Sequence, residues 1–125
     1  MHNKNVYLGL ALLWTCIVTV LSLVTIGSIG SSIPIPNKDK YVHFTFYFIF
    51  VILWSLYVRQ ATSNKNIQWI ILFLAIGYGI IMEICQGVFT TTRTPDSMDA
   101  LANSLGAITG LIFLKIIFNT HKTTP

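Results

Sequence analysis

The chain contains four acidic side chains, Asp39, Glu83, Asp96 and Asp99, and one histidine away from its ends, His43. A carboxylate beside an imidazole can exchange a proton, and a buried carboxylic acid can serve as general acid or base. Spacing indicates which of these groups share a surface. Asp39 and His43 are four residues apart and fit one helix face, as do Glu83 and Gln86 at three. Asp96, Asp99, Asn103, Gly106 and Gly110 follow at intervals of three, four, three and four, which is one continuous helical seam. Structural roles compete at several positions. Asp39 can cap a helix with His43 at the membrane interface, and Asp96 after Pro95 suits a helix N-terminus together with Asp99. Glu83 is the residue least explained by capping. It stands inside an apolar run and needs a cation, a donor or a proton; Arg93 is the nearest candidate partner and His43 the second. A fixed Glu–Arg clasp between helices is the structural alternative.

The elements that hold these residues are read from composition. Hydrophobic residues make up 54% and charged residues 10%, against roughly 25% charged in soluble domains, so lipid must cover much of the surface. Four apolar stretches, about 6–29, 41–57, 67–88 and 98–118, each approach the ~20 residues that cross a bilayer. They predict an all-α fold, a compact bundle of four transmembrane helices in a single domain. Ser31 to Asn37, with Pro34 and Pro36, forms a turn; Gln60–Asn66 and Thr90–Pro95 are the other polar breaks. The first stretch is too long for a signal-peptide core and reads as a retained helix. Cys16 and Cys85 fall at different depths and do not suit a disulfide. Thr15, Thr19 and Ser22 make a stripe suited to interhelical contact, and Ala75 and Gly79 lie below Glu83 on one face. Tyr41, Tyr47, Trp54, Tyr57 and Trp69 include interfacial aromatics.

With four crossings, Lys4, Arg59, Lys65, Lys115 and Lys122 share one side, and Lys38, Lys40 and Arg93 share the other. Five positive charges against three place both termini in the cytoplasm and the acidic residues at the outer leaflet. The net charge of +4 belongs to membrane-flanking lysines; no basic patch interleaved with surface aromatics suggests nucleic acid. Glycine-rich phosphate loops, Cys-x-x-Cys and His-Glu-x-x-His are absent, and His2 and His121 lie near the termini, so no poly-histidine metal site forms. The set His43, Glu83, Asp96 and Asp99 permits a hard divalent cation without arguing for one. No metal or cofactor is assigned.

Asp39-Lys40-x-x-His43-Phe44, Glu83-x-x-Gln86 and Arg93-x-x-Asp96-x-x-Asp99-x-x-x-Asn103-x-x-Gly106 together resemble the VanZ-like family of bacterial membrane proteins, over roughly residues 5 to 118. The resemblance implies a compact four-helix unit in the bacterial cytoplasmic membrane and a link to reduced teicoplanin susceptibility. Three functions fit these residues. In the first, Asp39, His43, Glu83, Gln86, Arg93, Asp96, Asp99 and Asn103 line an outward polar pocket for a lipid headgroup, a lipid-linked cell-wall intermediate or a glycopeptide. In the second, Glu83 and His43 are the acid–base pair of an intramembrane enzyme acting on an amphiphile, with Arg93 on its headgroup. In the third, the cluster is a structural clasp in an accessory or assembly module.

Overall fold

The computed structural model describes residues 2–23, 36–91 and 94–120. Four helices account for nearly all of them: α1 (His2–Leu23), α2 (Lys38–Ala61), α3 (Ile67–Phe89) and α4 (Ser97–Thr120). All four are long and apolar enough to cross a membrane, and there is no strand among the described residues. Helices are the physical answer to such a sequence, because in hydrocarbon each backbone N–H and C=O must find its partner within the segment.

The helix limits differ from the apolar stretches in an instructive way. α2 begins three residues before Tyr41 and runs four beyond Tyr57, so it has 24 residues. Its extra turns are the polar Lys38–Lys40 and a C-terminal stretch with Arg59 and Gln60, which hydropathy alone trims away. α1 likewise begins at His2; residues 24–29 of the first apolar stretch lie outside the described residues. α3 and α4 agree with expectation to within two residues. Asn37 enters α2 with left-handed backbone angles (φ 57°), a conformation that Asn tolerates better than most residues.

α2 and α4 form the most extensive helix pair. They run parallel: His43 meets Asn103 near one end, and Arg59 lies over the Phe118 ring near the other. Gly106 and Gly110 make this possible. A methyl group at Gly106 would overlap the carbonyl oxygen of Phe44, and one at Gly110 would lie 2.8 Å from that of Phe48. The spacing of four found in the sequence is thus a backbone-to-backbone seam, the usual means by which helices approach closely in lipid.

α3 runs antiparallel to this pair and α1 parallel to α3. The polar stripe of α1 is its adhesive: Trp54 Nε1 donates to Thr15 Oγ1 at 3.1 Å, Thr19 bonds the Tyr78 hydroxyl, and the carbonyl of Ser22 accepts from Gln86. Only 17% of the most apolar part of α1 is buried, against 39% for α3 and α4, so α1 is the peripheral helix. The core is Val18, Tyr47, Phe50, Val51, Leu72, Ala75, Ala107 and Leu111. Of the five aromatics that include the interfacial ones, Tyr47 lies in the core, because the 3.6-residue turn carries it onto the inward stripe of α2, whereas Tyr41 and Trp69 are exposed. Phe73, Val88, Phe89 and Ile116 project outward, as a lipid-facing surface requires. Both cysteines are free thiols.

Gly106→Ala is expected to destabilise the bundle by about 2 kcal/mol or more, since the added methyl meets backbone and not a movable side chain. Gly9→Ala, which meets nothing within 4 Å, should change stability by less than about 1 kcal/mol. Thermal unfolding of the two variants in one detergent measures the difference, and equal midpoints would contradict the seam.

Candidate functional site

At the end where α2 and α4 begin, three inward stripes meet. On α2 the stripe runs Lys40, His43, Tyr47, at helical intervals of three and four. On α4 it is Asp99 and Asn103 above Gly106, and on α3 it is Glu83 and Gln86 above Gly79. Asp96 joins from the loop ahead of α4. Its side chain caps that helix, with Oδ1 accepting from the Met98 N–H at 2.8 Å. Gly87 lets this loop approach, because any side chain there would overlap the ring of Pro95.

His43 stands at the centre. Nδ1 is 3.0 Å from Asn103 Oδ1 and 3.7 Å from Glu83 Oε1, while Nε2 is 3.5 Å from Asp99 Oδ2. The other Glu83 oxygen faces the backbone N–H of Asp96 at 3.5 Å. Lys40 Nζ bridges the rim carboxylates, 3.3 Å from Asp96 Oδ2 and 3.2 Å from Asp99 Oδ1. With Nδ1 donating to Asn103, the second ring nitrogen decides the ring's charge: protonated it offers Asp99 a donor, and neutral it is a base. The contacts of His43 to Glu83 and Asp99 are ion-pair distances, longer than good hydrogen bonds. Among the described residues, three carboxylates, one ammonium and one imidazole meet here.

Exposure falls in order through the cluster. The side chains are 43% exposed at Asp96, 31% at Lys40, 13% at Asp99, 7% at His43 and 6% at Glu83. The charged groups therefore descend from a wet rim to a dry floor. The floor is completed by Asn103, whose Nδ2 has no hydrogen-bond partner among the described residues.

Most of the residues expected at the site come together: His43, Glu83, Asp96, Asp99 and Asn103 form one contact network. Gln86 is buried on the same helix face but turns away, and its Nε2 donates to the Ser22 carbonyl at 2.9 Å, tying α1 to α3. Asp39 is exposed on the first turn of α2, and Lys40, one residue on, takes the inward position. Arg93, the first candidate partner of Glu83, lies outside the described residues; His43, the second, is at the distance given above. Lys40 was absent from the expected set, although its spacing of three from His43 was the available signal.

His43, Glu83 and Asp99 each offer one ligand atom within 4.8 Å of the others. One imidazole and two carboxylates are a donor set for a divalent cation with coordination positions to spare.

The fold and this cluster define a class: a multi-pass α-helical membrane protein with a polar site sunk into one end of its bundle. Within that class the chain belongs to the VanZ/LLP1 family, whose model matches residues 7–118. The match takes in every residue of the cluster, the whole of α2 and α3, and most of α1 and α4. No curated protein and no solved structure matches the chain at a significant level.

The Asp96 carboxyl is held below the usual carboxylate range, first by the Met98 N–H and then by Lys40. Its ionised form therefore stabilises the fold above about pH 4, and that contribution fades as pH falls through the lower folded value. Asp96→Asn keeps a capping oxygen and removes the charge. The variant should be less stable than the parent at pH 7, and the gap should narrow as pH falls toward 3. Unfolding midpoints across that range, in a detergent inert to acid, measure this; a gap independent of pH would remove the charge from the explanation.

Proposed function

We propose that this VanZ/LLP1-family protein binds the polar head of an amphiphile of the bacterial cell envelope in the site around His43, from the outer leaflet. The observation that carries the reading is the ordered fall in exposure from Asp96 through Lys40 and Asp99 to His43 and Glu83. A purely structural clasp has no need of a graded descent open at one end. A buried charge cluster also contributes little net stability compared with apolar packing of the same volume.

The electrostatics narrow the ligand. Lys40 bridges Asp96 and Asp99 at the partly exposed rim, so a head that carries an amine can enter there. An ammonium can replace that of Lys40 between Asp96 and Asp99 without changing the charge of the site. Lipid headgroups, lipid-linked cell-wall intermediates and glycopeptides are the candidate ligands, and binding them at the outer leaflet would link the protein to teicoplanin susceptibility. This reading locates the chain in the bacterial cytoplasmic membrane with both termini inside, supported by the lysine and arginine bias between the two sides.

A second reading is favoured by the position of His43 between two carboxylates. In an enzyme, Glu83 and His43 would form the acid–base pair, with Asp99 orienting the ring. A divalent cation held by His43, Glu83 and Asp99 would supply Lewis acidity, and Lys40 would steer an anionic head.

Expression of the parent and of Glu83→Gln, His43→Ala and Asp99→Asn in a teicoplanin-sensitive bacterium separates these outcomes. Binding predicts that each variant, present at parental levels in the membrane, loses at least fourfold of any protection the parent gives. Unchanged susceptibility across all three would sink the antibiotic link. For the enzymatic reading, purified protein is incubated with envelope lipids, with and without divalent metal. A product formed by the parent and lost in Glu83→Gln is expected, and no product from any lipid class would count against it.

A further inference from the structure

The opposite end of the bundle carries a second polar feature that the family match does not explain. Between the α2–α3 loop and the last turns of α4 lies a cavity of about 450 Å³, within the size range of small-ligand sites. Arg59, Lys65 and Lys115 line it, and no acidic side chain does. The nearest carboxylate along α3 is Glu83, fourteen residues from Trp69, or about 21 Å at helical rise.

Two of the cations are held in place without being neutralised. The Arg59 guanidinium lies 3.5 Å from the centre of the Phe118 ring, and the Lys115 ammonium lies 4.0 Å from that of Trp69. A ring face fixes a cation but leaves its N–H groups on the far side able to donate. α3 starts at this cavity with no acidic residue in its first turn, so its N-terminal partial charge adds to the same sign. Gln68, 8% exposed as a residue, also lines the cavity and supplies a neutral amide among these cations.

We propose that this cavity binds a phosphate group, presented either by the head of an anionic lipid or by a soluble phosphate. Arg59 and Lys115 supply charged donors from the aromatic walls, Lys65 closes the loop side, and the Gln68 amide donates from the floor. Trp69 and Phe118 place the site at interfacial depth, where lipid phosphates lie. The proposal is independent of the reading of the His43 site, since the two share no residue.

The test uses full-length protein purified in a mild detergent, with bound lipid counted by native mass spectrometry. Equal mixtures of phosphatidylcholine and phosphatidylglycerol form one arm, and inorganic phosphate at millimolar concentration forms the other. The expected result is retention of the anionic lipid at least fivefold over the zwitterionic one. Arg59→Gln, Lys115→Gln and Gln68→Leu should each cut that preference at least threefold. Lys65→Gln, in the exposed loop, should do the same without affecting helix packing. Lys4→Gln is the control: Lys4 lies at the same end of the bundle but does not line the cavity, and its loss should change nothing. Phosphate retained in the second arm, with no lipid preference in the first, would assign the site to a soluble phosphate. Equal retention of both lipids without bound phosphate would overturn the proposal. So would a Lys4→Gln effect as large as that of the cavity variants, which would signify diffuse surface charge.

Discussion

The close parallel contact of α2 with α4 is the constraint on which the rest of the molecule depends. In lipid there is no hydrophobic gain from bringing two apolar helices together, so contact must come from fit and from internal polar bonds. Gly106 and Gly110 supply the fit by admitting the Phe44 and Phe48 carbonyls. That fit sets the register of the two helices, and the register sets the chemistry. One turn beyond the seam, it brings His43 within hydrogen-bond distance of Asn103, and a further turn brings Lys40 to Asp99. A bulkier seam would push the imidazole away from its partners before any charged residue had been altered. The glycines are as much a part of the site as the groups that carry its charge.

α3 and α1 are then added by contacts of a different kind. α3 contributes Glu83 on a face kept slim by Ala75 and Gly79, so that the carboxylate reaches the α2–α4 pair. α1 has little buried surface and is held by side-chain hydrogen bonds, among them the one from Gln86 to the Ser22 carbonyl. Gln86 thus couples the peripheral helix to the helix that carries Glu83. The cluster is assembled by three helices and steadied by the fourth.

Much of this was legible in the sequence, and the failures have physical causes. The helices followed from hydropathy, and the α4 seam from intervals of three and four, because both are local properties of one segment. Rotation of a helix about its axis is not local. Asp39 at four residues and Lys40 at three are both admissible neighbours of His43, and the burial of Tyr47 and Val51 decides for Lys40. Tyr47 itself was ambiguous, since the aromatic body that anchors at an interface also fills a core. Gln86 was recognisable as a polar group in an apolar run, but its partner is a backbone carbonyl 64 residues away, which no side-chain pattern encodes. The ends of α2 were missed because a window that scores apolarity discards the charged turns by which a membrane helix reaches water.

The depth of Glu83 carries a consequence for energetics across the bilayer. It stands six residues from the end of α3, about 9 Å along the helix, or roughly a third of a ~30 Å hydrocarbon core. A charge that travels from the rim to this carboxylate crosses a comparable fraction of the transmembrane voltage. At ~2.3 kcal/mol per elementary charge per 100 mV, that fraction amounts to about 0.8 kcal/mol for a monovalent cation and twice that for a divalent one. A cation bound at the floor of the site, as proposed above, would therefore be coupled to the electrical state of the membrane, with a factor of several in affinity between an energised bilayer and a depolarised one.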